Sequence, residues 1–107
     1  MKLIYVASPL AGNADKNIQK ALRYCSFVAS CGEVPLAPHT IFTRFLDDTD
    51  KEQRRCGIKM GFALLAKCEE LWVFGSTIST GMKSEITIAK AKNIPIRYFT
   101  EYCEEVL

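Results

Sequence analysis

Apolar residues fall along this chain in short continuous runs, separated by longer stretches of helical spacing. Residues 2–7 form a near-continuous apolar run, the pattern of a strand buried on both faces of a parallel sheet. Ser8-Pro9-Leu10-Ala11-Gly12-Asn13 breaks that run into a loop. A helix is expected over 15–30, where Ile18, Ala21, Leu22, Cys25, Val28 and Ala29 recur at helical spacing and Gly32 follows as a stop. Residues 34–37 make a short second strand closed by Pro38. The stretch from His39 to Leu46, then Asp47-Asp48-Thr49-Asp50, is expected to be less regular, and a connection of this length is often functional. Helical spacing returns over 51–67, carried by Ile58, Met60, Phe62, Leu64 and Leu65. A third strand over 70–75, a helix over 80–92 and a fourth strand over 94–99 follow. The tail, 100–107, is expected to make one or two helical turns.

Strands alternating with helices imply right-handed crossovers and a parallel sheet. The expected fold is α/β: a three-layer, flavodoxin- or Rossmann-like sandwich, with a four-stranded parallel sheet in the order 2-1-3-4 and one domain over 1–107. In such sheets the ligand crevice lies beyond the strand C-termini, where the winding direction reverses. The loops meeting there are 8–13 and 75–81, both rich in Gly, Ser and Thr.

Composition narrows the function classes. The 107 residues are 49% apolar and 24% charged, ordinary for a soluble globular domain. A formal charge of +2 argues against a nucleic-acid polymer or a membrane as partner. No apolar stretch approaches the roughly 20 residues that span a bilayer, and the opening run is too short for a secretion signal, so the expected location is cytoplasmic. The five cysteines match no paired zinc spacing, their number is odd, and only one histidine is present. They read as reduced, apolar fillers, and no metal site is expected.

Against that frame of short strands, Ser76-Thr77-Ile78-Ser79-Thr80-Gly81-Met82-Lys83-Ser84-Glu85 is the strongest chemical signal. A buried strand opening into a hydroxyl- and glycine-rich turn and then a helix suits an anion, since N–H groups at a helix start face outward unpaired. The same residues also serve as ordinary helix caps without a ligand. The turn lacks both the Walker spacing and GxGxxG, which disfavours a kinase or a nicotinamide enzyme. Glu85 lies one turn into the helix with Gly81, Met82, Ile88 and Ala89 at helical spacing, so no local cation pairs with it. It can act as nucleophile or general base, a carboxylate nucleophile suiting attack on an anomeric carbon. It can also make a distant ion pair, or bond Tyr5 for structural reasons. Tyr5 can orient a ligand or a carboxylate, Ser8 can bind phosphate, and His39 can contact a base or phosphate or act as an acid. Asp47, Asp48 and Asp50 can supply an acid or simply cap the next helix.

Ile4-Tyr5-Val6-Ala7-Ser8-Pro9 with Gly12, the strand Glu70-Leu71-Trp72-Val73-Phe74, and Ser79-Thr80-Gly81-Met82-Lys83-Ser84-Glu85-Ile86 resemble the nucleoside 2-deoxyribosyltransferase-like superfamily. That superfamily includes the deoxynucleoside 5'-monophosphate N-glycosidases, and the chain looks closest to a small bacterial and phage branch. The resemblance implies that Glu85 is the nucleophile that forms a glycosyl ester and that Tyr5 orients it. It implies that Ser8 and Ser79 hold a 5'-phosphate, that Gly81 is the helix-start backbone, and that His39 lies by the ligand. Pro9, Gly12, Ser76 and Thr80 complete the expected binding set. It implies a nucleoside or nucleotide partner, no cofactor, and a homodimer that completes the site. Two departures stand out. The helix stretch from Cys56 to Leu65 lacks the family's aspartate, for which Asp47 or Asp48 can substitute from the preceding loop, and the loop Leu10-Ala11-Gly12 lacks an arginine, for which Lys83 can partly compensate. The expected activity is hydrolysis or transfer of an N-glycosidic bond; the alternative is a nucleotide-binding module without turnover.

Overall fold

Alternating side chains send strand β1 (Leu3–Ala7) into two cores at once. Ile4 and Val6 face one layer, Tyr5 and Ala7 the other, and all four are buried. Strand β3 (Glu70–Phe74) repeats the pattern, with Trp72 and Phe74 on the first side and Leu71 and Val73 on the second. The computed structural model describes residues 1–107.

Helix α1 (Ala14–Ser30) covers the first face. Its Tyr24 ring stacks on Phe74 at 4.5 Å, and Phe27 packs edge-on against Phe74 and Phe99. Helices α3 (Lys51–Leu65) and α4 (Thr80–Ala91) cover the second face, where Leu65, Met82 and Ala89 meet Tyr5 and Val73. Between α1 and α3 in the chain lie β2 (Val34–Leu36), the short helix α2 (Pro38–Ile41) and a 3₁₀ turn at Phe42–Arg44. The segment expected to be irregular is therefore partly helical, started by Pro38 at the first helical position. No helix is long and apolar enough to cross a membrane.

The sheet order is β2-β1-β3-β4-β5, with β4 at Ile96–Phe99 and β5 at Glu105–Val106. The first four strands are parallel in the expected order, while β5 pairs antiparallel with β4. The sheet thus has five strands rather than four, and the tail ends in a strand rather than helical turns. The cause is non-local. A turn closed by Thr100 N–H on the Glu104 carbonyl returns the chain along β4, and Arg97 clasps Glu105 at 2.6 and 2.8 Å. Two residues of strand carry too little pattern to be read in advance.

The three aspartates before α3 divide their work. Asp47 accepts from the N–H and hydroxyl of Thr49, which hold its carboxyl below the usual carboxylate range. Asp50 is the N-cap and accepts from the N–H groups of Glu52 and Gln53 at 2.9 and 3.0 Å. Asp48 makes no such bond and lines the cavity described below. Asp50→Ala is expected to cost about 1 kcal/mol, read as a lower urea midpoint at unchanged slope.

Candidate functional site

β1 and β3 end side by side at the sheet's C-terminal edge, and Gly75, at φ +99°, turns the chain out of β3 in a conformation that glycine tolerates. Helix α3 runs down to the bottom of the sheet, so its N-terminal turns stand at this same edge as the start of α4. A cavity of about 480 Å³ opens between them. Its floor is Tyr5 and Glu85.

Tyr5 donates its hydroxyl to Oε2 of Glu85. Gly61 permits this: a Cβ there would stand 3.2 Å from the Tyr5 hydroxyl, so the glycine lets α3 pass close by. Glu85 takes part in none of the ion pairs. Burial pushes its carboxyl up to about 7, while the bond from Tyr5 pulls the other way. Burial, then the charge of Glu85, raises the Tyr5 phenol, which stays protonated as a donor. Tyr5→Phe is expected to move the Glu85 carboxyl above 7, because the opposing bond is lost while burial remains. A ¹³C NMR titration of the labelled side chain measures it; an unmoved midpoint would falsify the assigned bond.

One wall of the cavity combines the β1 loop with α2. Ser8 is 2% exposed, yet its Oγ has no hydrogen-bond partner. A buried hydroxyl left unpaired beside a cavity is a ready contact for a ligand. The Ser8 carbonyl accepts from His39 Nε2 at 2.9 Å. A carbonyl only accepts, so Nε2 carries the hydrogen. Burial lowers the His39 pKa, opposed by that bond and by the charge of Asp48, so the neutral ring presents Nδ1 as an acceptor. The opposite wall begins at the N-cap of α4, where Ser79 Oγ accepts from Met82 N–H at 3.3 Å. Thr80 and Gly81 line the cavity with first-turn N–H groups that have no helical acceptor.

Eight of the expected site residues thus meet in one cavity: Tyr5, Ser8, His39 and Asp48 on one side of the sequence, and Ser79, Thr80, Gly81 and Glu85 on the other. Pro9 and Ser76 instead line a separate crevice of about 80 Å³, facing Asn17 and Tyr24, and Gly12 lines neither. Ser76 lies on the α1 side of the sheet because it precedes the turn that carries the chain across to α4. Gly12 shapes its loop through a φ of +103°.

A family model described as "Domain of unknown function (DUF7768)" matches residues 2–99. The chain belongs to the DUF7768 family. The fold is also that of the 2-deoxyribosyltransferase of Bacillus psychrosaccharolyticus, with a TM-score of 0.74 at 16% identity over 92% of this chain and 72% of that one. A 2-deoxyribosyltransferase from Leishmania mexicana matches with a TM-score of 0.64 at 19% identity, over 94% of this chain and 65% of that one. A conserved protein from Enterococcus faecalis V583 gives 0.58 at 24% identity, over 92% and 63%. The chain therefore spans less than two thirds of the latter two proteins. No curated protein matches it in sequence.

This DUF7768 chain also uses residues that the sequence reading passed over. Gln53 and Arg54, Gly57 and Ile58, and Gly61 and Phe62 line the cavity from one face of α3. Their spacing is the signal, since positions four apart share a helix face. Two glycines four apart in a helix, each costing about 1 kcal/mol against alanine, marked a close approach that apolar spacing alone does not reveal. Arg54 was hidden among Lys51, Glu52 and Arg55, where the charge pattern reads as a solvated helix start.

Proposed function

We propose that the protein cleaves or transfers the N-glycosidic bond of a nucleoside or nucleotide, with Glu85 as nucleophile. The carrying observation is a half-buried carboxyl held by the Tyr5 hydroxyl at the floor of a cavity with apolar and hydroxyl-bearing walls. The ionised Glu85 attacks C1', where developing oxocarbenium charge is stabilised by the adjacent anion. The base departs and a glycosyl ester remains, which water or a second base then resolves. Tyr5 keeps one carboxylate oxygen occupied and leaves the other for C1'. Ser8, Ser79 and the Thr80 and Gly81 N–H groups hold sugar hydroxyls or a 5'-phosphate, and His39 Nδ1 accepts from a ligand hydroxyl or N–H. Deoxyribosyl transfer is the activity named for two proteins of this fold, which supports the class of reaction. A homodimer that completes the cavity mouth belongs to the same reading.

One observation favours a second reading. The cavity face of α3 carries Arg54, Gly57, Ile58 and Gly61, with no carboxylate to protonate a leaving base. A module that binds the nucleotide without turning it over fits that face. Incubation with a panel of deoxynucleosides and their 5'-monophosphates, followed by chromatography for free base, separates the two. Base release from at least one member of the panel is the expected result. Binding without release from any of them leaves the module, and neither binding nor release removes both.

A further inference from the structure

The cavity face of α3 carries a cation and no carboxylate. Arg54 is the one lysine or arginine that lines the cavity, and it belongs to none of the ion pairs, which join Lys2 to Glu70, Lys20 to Glu101 and Arg97 to Glu105. It shares a helix face with Gly57 and Gly61. Gly61 adjoins the Tyr5 hydroxyl, and Arg54 stands seven residues nearer the cavity mouth, a rise of about 10 Å along α3. Phe42, Leu46, Ile58 and Phe62 supply the apolar surface between, on which a base can lie. Asp48, the remaining carboxylate of the cavity besides Glu85, lies on the loop before α3 and, like Arg54, is exposed.

We propose that Arg54 receives the departing base as an anion, so that the substrates are nucleosides of acidic, carbonyl-bearing bases of the uracil type. The proposal rests on the N-glycosidic reading above. A guanidinium has five N–H donors and no acceptor, and it keeps its protons throughout. It therefore matches the carbonyl oxygens of a lactam base and cannot act as a proton donor. As the Glu85 oxygen bonds to C1', the C1'–N bond breaks and its electron pair stays on the base. That charge spreads onto the carbonyl oxygens, where the guanidinium meets it. Water protonates the base after release, and a second water, attacking C1', frees the Glu85 carboxylate in hydrolysis. An amino base without an acidic N–H leaves poorly by this route, and nothing on α3 protonates it.

The test pairs binding with turnover. At pH 8, 5-nitrouracil is an anion and cytosine is neutral. Calorimetry is expected to show roughly tenfold tighter binding of 5-nitrouracil than of cytosine, a preference lost in Arg54→Gln and partly kept in Arg54→Lys. Release rates for deoxyuridine, 5-fluorodeoxyuridine and 5-nitrodeoxyuridine should rise with base acidity, and Arg54→Gln should steepen that dependence. Equal binding of the two bases by the wild type, or an unaltered preference in Arg54→Gln, overturns the proposal. So does Asp48→Asn abolishing release while Arg54→Gln leaves it intact, since that marks an acid-assisted route. Selective binding of the anion with no release from any nucleoside overturns the N-glycosidic reading and the departure step with it, leaving Arg54 only a base-binding residue.

Discussion

Glu85→Gln is expected to lower base release by roughly 10³-fold or more, equivalent to about 4 kcal/mol of transition-state stabilisation. Glutamine preserves volume and still accepts from the Tyr5 hydroxyl, so the cavity keeps its shape. On the proposed mechanism, what disappears is the oxygen lone pair that would bond C1' and the negative charge beside the oxocarbenium centre. The loss should therefore fall on kcat, with KM changed little. The wild type adds a pH signature. With the carboxyl at about 7, kcat/KM should rise tenfold per pH unit below that value and level off above it, because only the ionised form attacks. Release that survives in Glu85→Gln at a tenth of the wild-type rate or better removes Glu85 from the nucleophile's role.

The same substitution is expected to stabilise the protein at alkaline pH. Glu85 has a folded value of about 7 against an ordinary 4.5. Between those values the folded state holds a proton that the unfolded chain has released, so stability falls as pH rises. Its contribution is complete below about 4.5 and lost as pH climbs through 7. The gap corresponds to about 3 kcal/mol, which for a domain of this size moves Tm by on the order of 10 °C. Glutamine carries no charge to desolvate and shows no such slope. Guanidinium unfolding of both proteins at pH 5 and pH 8 reads the difference: near-equal stability in acid, with the variant ahead in base. A constant difference across that range means that Glu85 ionises as freely folded as unfolded. If Glu85 is the nucleophile, a carboxylate held at the expense of stability is the expected trade.

Much of this could be read from the chain. Residues 3–7 and 71–74 are apolar without interruption, the pattern of a strand buried on both faces, and helices of clear spacing separate them. From that alternation came the parallel order β2-β1-β3-β4 and the edge where loops 8–13 and 75–81 converge. Glu85 was legible because a carboxylate without a cation at helical spacing needs a distant partner; the residues left a distant ion pair and Tyr5 both open, and the family resemblance pointed to Tyr5, which bonds it. The limits were equally physical. β5 exists only because Arg97 and the exposed edge of β4 hold it, so nothing within Glu105–Val106 announces a strand. Pro9 and Ser76 sit in the expected loops, but the chain's path turns them toward α1.

Local spacing and apolar runs thus determined the layers and the strand order, since these follow from periodicity, while the pair at the cavity floor was what the family resemblance implied. The tertiary structure alone decided which aspartate caps, which turns and which faces the cavity. It alone left the Ser8 hydroxyl buried without a partner and turned the α3 face of Arg54, Gly57 and Gly61 toward the cavity. Those outcomes depend on how α3 packs across the sheet, and packing at that range leaves no mark on the residues next to it in sequence.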